Sequence, residues 1–411
     1  MNLNPRKRLN LTLGGRFEKS LISVRSDVAL PETTTLTGIF RNMDLANPAI
    51  PSQVILDEEA KLFGVPEGFA NNFTSQDPLV SDLSENVFLP SATMRLSLMD
   101  GLQLKLGYYE TINRPSFREI TGDIFIDTET GDLLAGNPFL VSSYTKNYDM
   151  RLEYYPGESS STIFGNLFGK DDMFGVSIFK KDIENPIEFI APFSDRIDEM
   201  PFNNSEGAQT QGIEFEFLKS LEFIPLNLTN YFALGGNLSL TDATAGVSAS
   251  ERSKLAVNEF NVEEALIESR RPLVEQPDTI VNLNAIFEHP DWGIRLVLAY
   301  NWKSEVLETV GNSTTFDAWR GASSSLDLTF RKEFKNGLSV NFAAKNILDQ
   351  GYETFYRNRA PVAYDEVISS SYDQYANVNF PYSENEYYGD KTRRKVASRG
   401  ISYSLAMKYS Y

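Results

Sequence analysis

The sequence predicts an all-β protein, an antiparallel β-barrel that crosses a membrane. About twelve segments alternate apolar and polar residues with a period of two, which is the period of a pleated strand. Several segments reach ten or more residues, against a usual strand length of about five or six. The links between them alternate between short and long, as they do when neighbouring antiparallel strands form the wall of a membrane barrel.

Composition excludes several other classes of protein. The 411 residues include no cysteine and one histidine, His289, so we expect no disulfide framework, thiolate metal site, histidine-zinc cluster or serine-histidine triad. The net charge of −18 opposes binding to phosphates, which removes nucleic acid as a partner. No window approaches the roughly 18 consecutive apolar residues of a spanning helix.

The strands follow one another along the whole chain. The first is predicted where Leu9, Leu11, Leu13 and Phe17 alternate with small or polar residues. The others are predicted near 88–98, 102–112, 144–155, 172–182, 209–218, 226–240, 278–288, 293–303, 322–334, 338–347 and 399–411. Twelve is an even number, so both ends of the chain are expected at the same rim.

Turn chemistry supports the short links. Asp100-Gly101 and Asn336-Gly337 are hairpin signals, and two further short links are predicted near 220–225 and 288–291. The long links are predicted near 27–87, 114–143, 184–208, 242–277, 304–321 and 348–398. All short links would then lie at one rim and all long ones at the other, except that the link 156–171 breaks the pattern because it is longer than a tight turn.

A soluble β-sandwich or propeller would show the same alternation with its apolar face inward. Strand length favours the membrane barrel, because a spanning strand needs about 9 to 11 residues. Aromatic residues on the apolar face near strand ends, such as Trp302 and Phe334, also favour it. The opposite face would be a polar lumen wall, formed by Lys105, Arg151, Glu153, Glu214, Glu216, Arg295, Asp327, Arg331, Asn341 and Lys345.

Five stretches carry a resemblance to a known family. They read TINRPSFRE (111–119), GNPFLVSSYTKNYDMRLEYYPG (136–157), FGVSIFKKDIENPIEF (174–189), QGIEFEF (211–217) and NFAAKNILDQGYE (341–353). In this order they resemble the C-terminal part of a TonB-dependent outer-membrane receptor of the Bacteroidetes type.

The resemblance implies a 22-stranded barrel filled by an N-terminal plug that TonB grips. Residues 1–411 would then be the C-terminal portion of the barrel, without the plug, about ten first strands or the signal peptide. The implied location is the outer membrane of a Gram-negative cell, with lipid around the barrel.

The resemblance also gives the last strand a role. In the family, the closing strand pairs with the first strand of the barrel and ends in an aromatic residue that the barrel-assembly machinery reads. Gly400, Tyr403, Tyr409 and Tyr411 match this pattern. Without further strands, the first and last strands would pair with each other or remain open edges.

The last long link is rich in aromatic side chains, which give contact area at low entropic cost. It is the candidate contact with an external ligand, through Tyr352, Phe355, Tyr356, Tyr364, Tyr372, Tyr375, Phe380, Tyr382, Tyr387 and Tyr388. The alternative is that these rings pack the loops together.

Other candidate sites are weaker. Asp127, Glu129 and Asp132 lack the terminal bidentate glutamate of a calcium loop, so a hairpin tip is expected and no metal or cofactor. Arg114 and its neighbours Arg118 and Glu119 follow a strand directly and are expected to form ion pairs at the rim or against a plug.

The function implied by the resemblance is TonB-dependent active import of a nutrient such as a glycan, siderophore or peptide, with no chemistry on it. Glu214 and Glu216 suit a lumen wall better than a hydrolase pair, so no enzyme is expected. The alternatives are a passive porin-like or adhesive barrel, and a soluble glycan-binding β-protein.

Overall fold

The structure is a computed structural model of the 411-residue chain. It describes residues 8–26, 61–66, 79–126, 133–156, 169, 171–190, 197, 199–222, 224, 228–248, 269–311, 317–357, 392–397 and 400–409. Among these residues no helix is both long and apolar enough to span a bilayer.

Strands dominate the described residues. They are β1 (Leu9–Ser26), β2 (Leu79–Met99), β3 (Leu102–Asn113), β4 (Ile124–Ile126), β5 (Leu133–Ala135), β6 (Ser143–Tyr154), β7 (Met173–Glu184), β8 (Ile187–Ile190), β9 (Met200–Asn203), β10 (Ala208–Ser220), β11 (Phe232–Gly246), β12 (Arg270–Pro272), β13 (Thr279–His289), β14 (Ile294–Lys303), β15 (Val306–Thr309), β16 (Asp317–Arg320), β17 (Ser323–Glu333), β18 (Leu338–Lys345), β19 (Tyr352–Arg357), β20 (Thr392–Ala397) and β21 (Ser402–Tyr409). A short helix, α1 (Phe117–Ile120), and a 3-10 turn (Thr229–Tyr231) lie between strands.

One large antiparallel sheet organises the described part of the chain. Its order is β1-β2-β3-β6-β7-β10-β11-β13-β14-β17-β18-β21, with β12 added beside β11. These twelve strands confirm the predicted number and positions, except that β2 begins nine residues earlier and β11 six residues later than expected. The sheet runs from β1 at one edge to β21 at the other, which is one of the two arrangements expected of these strands.

The predicted alternation of links is confirmed except at the links that follow β6 and β10, which run from Tyr154 to Met173 and from Ser220 to Phe232 and are longer than tight turns. The links that follow β2, β13 and β17 are short, whereas those that follow β1, β3, β7, β11, β14 and β18 are long. Gly101, in the first short link, has φ +79°, and a Cβ there would lie 2.1 Å from the carbonyl oxygen of Tyr155, so only glycine fits. We call the two ends of the sheet the short-turn rim and the long-loop rim.

The two faces of the sheet differ as the pattern predicts. Apolar side chains on one face are exposed, as in Leu13 (73%), Phe17 (70%) and Leu405 (63%). This face, which we call the apolar face, carries side chains that a water-soluble sheet would bury against another layer. The described structure therefore matches a sheet that meets lipid, and no soluble sandwich core covers these residues.

The apolar residues form a band that crosses the sheet obliquely. The hydrogen-bonded row that starts at Leu13 becomes polar at Lys180 and reaches Asp242 on β11. The row that starts at Leu405 reaches Phe232 on the same strand, ten residues away. Over eleven strand pairings the band thus shifts by about one residue per strand, which with the usual strand spacing gives a tilt of about 35°. Spanning barrels have strand tilts of about 35–45°.

Rings cluster on the apolar face at the short-turn rim. The imidazole of His289 lies between the rings of Tyr231 and Trp292, with centroid distances of 3.9 Å and 4.0 Å. Phe232 and Phe287 pack beside them at 4.8 Å. Aromatic rings of this kind concentrate where a bilayer meets water, so the cluster marks one boundary of the band.

The long loops form a packed layer of their own, which we call the cap. Its apolar core joins five of the six long links and includes Leu62, Phe63, Ala135, Ile190, Met200, Phe202, Leu307 and Val310, with Val274 packed against it. Short sheets reinforce it: β4 pairs with β5, β8 with β9, and β15, β16, β19 and β20 form a four-stranded sheet. Apart from the β4–β5 hairpin, the cap strands were not predicted from the sequence.

Candidate functional site

The face opposite the apolar face is polar, and we call it the polar face. The row that holds Lys105 continues through Arg151 and Ser177 to Glu214, and the neighbouring row pairs Gln103 with Glu153. All predicted wall residues lie on this face, namely Lys105, Arg151, Glu153, Glu214, Glu216, Arg295, Asp327, Arg331, Asn341 and Lys345. Their placement on one face follows from strand parity, while their role as a lumen wall is part of the proposal below.

Four charged residues of the polar face form one network. The ammonium of Lys105 lies 2.6 Å from one oxygen of Glu153, whose other oxygen accepts a hydrogen bond from Arg151 at 2.5 Å. The guanidinium of Arg151 then crosses β7 and donates to Glu216 on β10 at 2.6 Å. Two cations thus compensate two anions across four strands, which lowers the cost of placing charge on a partly enclosed wall.

A glycine makes this crossing possible. A Cβ at Gly175 would lie 2.8 Å from a guanidinium nitrogen of Arg151, so any larger residue would displace that side chain. The same guanidinium also donates to Ser177 at 3.0 Å. Beside the network, Gly107 leaves a concavity of about 690 Å³ bordered by Arg95, Asp149 and other residues of both charges.

A second set of ion pairs lies toward the long-loop rim. Arg114 donates to Glu18 at 2.7 Å and to Glu85 at 3.3 Å, which confirms the expected ion pairing of Arg114 at the rim. Its predicted neighbours differ: Glu119 closes a capping box with Ser116, and the guanidinium of Arg118 lies 5.1 Å from the Phe125 ring.

The cap contains a buried ion pair. Arg271 donates two hydrogen bonds to Glu188, at 2.7 Å and 3.0 Å, and their side chains are 2% and 1% exposed. Asn204 donates a third bond to Glu188 at 2.8 Å. The pair ties the loop between β7 and β10 to the loop between β11 and β13.

Asn137, in the sequence Gly136-Asn137-Pro138, connects three of the long loops. Its side-chain amide donates to the carbonyl oxygens of Phe63 and Pro201, both at 3.0 Å, and its own oxygen accepts from the backbone of Phe139. With the ion pair above, this buried amide fixes the cap over the long-loop rim.

Burial and neighbouring charges shift the pKa values of two loop residues, Asp278 and Arg320. Burial raises the pKa of Asp278, and the negative charges of Asp242 and Glu305 raise it further. Burial works against the charge of Arg320, but a hydrogen bond and the charge of Glu308 outweigh it, and its pKa is raised.

The predicted ligand-binding rings are only partly described. Phe355 is fully buried in the cap sheet, so the expectation that it faces an external ligand is corrected: its ring packs loops together. Tyr352 and Tyr356 lie on β19, and their side chains are outside the described part. The remaining rings, Tyr364, Tyr372, Tyr375, Phe380, Tyr382, Tyr387 and Tyr388, also lie outside the described residues.

The predicted assembly signal lies on the last strand. Gly400 has φ +68°, a conformation that suits glycine, and the rings of Tyr403 and Tyr409 are 66% and 55% exposed on the apolar face. Tyr411 lies outside the described residues.

The predicted hairpin around 121–138 is present as β4 and β5. Its tip, with Asp127, Glu129 and Asp132, lies outside the described residues. Among the residues that are described, no cluster of three or more metal-ligating side chains occurs.

Sequence reasoning missed two arrangements of polar residues. Glu188 and Arg271 are 83 positions apart and nothing local marks them as partners. The second arrangement could have been found from the sequence, because four asparagines occupy polar positions of strands that alternate apolar and polar residues. They are Asn237, Asn282, Asn284 and Asn301.

An oblique apolar band, a charge-compensated polar face and a loop cap at one rim together define an outer-membrane β-barrel protein. The profile of the family described as "TonB dependent receptor-like, beta-barrel" matches residues 1–347. The chain therefore belongs to this family of TonB-dependent receptor barrels. No curated protein sequence matches it.

Solved structures of siderophore receptors are similar to this chain. The siderophore receptor PiuA from Acinetobacter baumannii matches with a TM-score of 0.52 and 10% identity, over 98% of this chain and 41% of that one. The ferric enterobactin receptor PfeA from Pseudomonas aeruginosa matches with a TM-score of 0.43 and 14% identity, over 81% of this chain and 42% of that one. The chain thus spans less than half the length of these receptors.

Proposed function

We propose that this chain forms the C-terminal portion of the barrel of a receptor that imports a nutrient across the outer membrane of a Gram-negative cell, driven by TonB. The plug that TonB grips and the first strands would come from the remainder of the receptor. In this proposal residues 1–411 form a single portion of the barrel, and the receptor transports its cargo without chemically changing it.

The polar face is the observation that carries the proposal. Lys105, Glu153, Arg151 and Glu216 compensate one another, while the reverse side of the same strands is covered by exposed apolar residues. A sheet with lipid on one side and water or a polar plug on the other needs this division.

The cap supports a role in capture. Its core is preorganised by Asn137 and by the Glu188–Arg271 pair, so a ligand would meet a formed surface rather than order free loops. In this proposal the ligand contacts come from Tyr352, Tyr356, Tyr364, Tyr372, Tyr375, Phe380, Tyr382, Tyr387 and Tyr388. The cargo class includes siderophores, the ligands named for the solved receptors, and other nutrients.

The last strand supports insertion by the barrel-assembly machinery. Strand β21 lies at the edge of the sheet and exposes aromatic and apolar side chains, namely Tyr403, Leu405 and Tyr409. In the proposal this strand closes the barrel against the first strand of the complete receptor.

Import is tested without knowledge of the cargo. A strain that lacks the receptor and a strain that lacks TonB are grown on a panel of sole carbon and iron sources. We expect at least one nutrient to fail in both strains. A nutrient that requires the receptor but still enters without TonB would instead make the barrel a passive pore.

Orientation is tested on intact cells, because the cysteine-free chain allows single reporters. Phe117→Cys, 72% exposed near the long-loop rim, should react with a membrane-impermeant maleimide. Lys335→Cys, in a short link, should react only after permeabilisation. The reverse result would invert the proposed topology.

A further inference from the structure

The polar face has a neutral region beside the charged network. On β11, β13 and β14 the polar positions next to the network are occupied by Asn237, Asn282 and Asn301 in one row, and by Gly235, Asn284 and Ala299 in the next. We call these six residues the amide patch. It extends about 10 Å across three strands.

The first row is a chain of hydrogen-bonded amides. Asn301 donates to Asn282 at 2.5 Å, and Asn282 donates to Asn237 at 2.7 Å. Within the described residues this order leaves the amide hydrogens of Asn237 at one end and the oxygen of Asn301 at the other for an outside partner.

In the second row the side chain of Asn284 lies against the backbone of Gly235. Asn284 stands between Gly235 and Ala299, and a Cβ at Gly235 would lie 2.6 Å from the Asn284 oxygen. That oxygen is buried and, within the described structure, accepts no hydrogen bond. A buried acceptor of this kind is usually satisfied by an ordered water.

The borders of the patch carry charges of both signs, because Lys303 follows Asn301 two residues along β14 on the same face. Glu214 lies across β10 on one side, where Ser239 donates to it at 3.4 Å, and Asp327 pairs with Ala299 on the other. The carboxylates oppose the binding of anions and Lys303 opposes the binding of cations, while Lys105 and Arg151 already have acid partners.

We propose that the amide patch binds a neutral polyhydroxylated solute, such as an oligosaccharide, on its way through the barrel. Hydroxyl groups both donate and accept, which matches an uncharged row that offers amide hydrogens at Asn237 and an amide oxygen at Asn301. The inference rests on the proposed import function and specifies its cargo class and path.

The test uses the full chain in detergent micelles with one reporter cysteine. Ala299→Cys places the reporter in the second row of the patch, and Ala343→Cys places a matched one on the polar face of β18, outside the patch. The rate of reaction with a hydrophilic maleimide is measured with stachyose (neutral), trigalacturonate (anionic) and spermine (cationic).

We expect stachyose to slow the labelling of Ala299→Cys severalfold and to leave Ala343→Cys unchanged. Asn282→Leu, and separately Asn237→Leu, should remove this protection while each variant keeps the heat-modifiable migration of the folded chain. Protection by trigalacturonate or spermine instead, equal protection of both reporters, or protection that survives both leucine variants would overturn the inference.

The outcomes also separate this inference from the proposed function. If neither reporter reacts in folded protein, the polar face does not meet water and the proposed function fails. If both react but stachyose protects neither, the patch serves the plug or bulk water, and only the inference fails.

Discussion

The buried pair of Arg271 and Glu188 gives the sharpest prediction about the cap. The carboxylate of Glu188 is 1% exposed and has two partners among the described residues, the guanidinium of Arg271 and the side-chain amide of Asn204. In R271M it keeps only the amide. Removing one partner of a buried pair usually costs about 3–5 kcal/mol, because the other charge is left uncompensated. We therefore expect R271M to unfold the cap at far lower denaturant concentration than the parent.

Two comparisons isolate the charge effect. The double variant R271M/E188L removes both charges and should recover most of the loss, since a buried ion pair adds little over apolar residues of similar size. Lys146 and Glu184 form a pair of similar distance, 2.9 Å, but with side chains 47% and 62% exposed, so K146M should have little effect.

Fluorescence can report the cap alone. Trp319 packs against the cap core, while Trp292 and Trp302 lie outside the cap, so replacing those two by phenylalanine leaves one reporter. Urea titration of Trp319 emission gives the unfolding free energy of the cap. If R271M costs no more than K146M, or the double variant is as unstable as R271M, the pair does not hold the cap.

Three further outcomes depend on single positions. G175A should lower the temperature at which the folded band is lost in gel electrophoresis, whereas G107A, whose Cβ would meet its nearest atom at 3.7 Å, should not. L328R, on the apolar face, should cost about 2–4 kcal/mol in vesicle unfolding and T329R, on the polar face, much less; equal costs would contradict the assignment of faces. D278N should match the parent in acid and exceed its stability at neutral pH, because the raised pKa makes ionisation of Asp278 oppose folding as pH rises; denaturant midpoints across pH measure this.

The large sheet could be predicted because its information is local. Period-two alternation from Leu102 to Ile112, or from Ile401 onward, specifies a strand, and Asp-Gly or Asn-Gly specifies the turn between two strands. Parity then places Lys105 and Arg151 on one face without any knowledge of distant contacts. The late start of β11 was missed because the 3-10 turn at Thr229–Tyr231 occupies residues that continue the alternation.

The cap could not be predicted because its information is not local. Its strands are three to six residues long, too short for periodicity, and their apolar residues become a core only when the loops meet. Phe355 illustrates the consequence: composition presents it as one ring among many in a loop, while pairing of β19 with β16 and β20 buries it.

Strand tilt connects the fold to the choice between a passive pore and a receptor. At a tilt of about 35° and a spacing of about 4.8 Å, twelve strands would close at a radius of about 11 Å and 22 strands at about 20 Å. In the narrower barrel, the long side chains of Arg151, Arg295 and Arg331 would meet those of the opposite wall and fill the interior. In the wider one they would line a space large enough for a folded plug. The charge pairs already satisfied within the sheet, such as Arg151 with Glu216, need no partner across the lumen, which favours the wider barrel of a receptor.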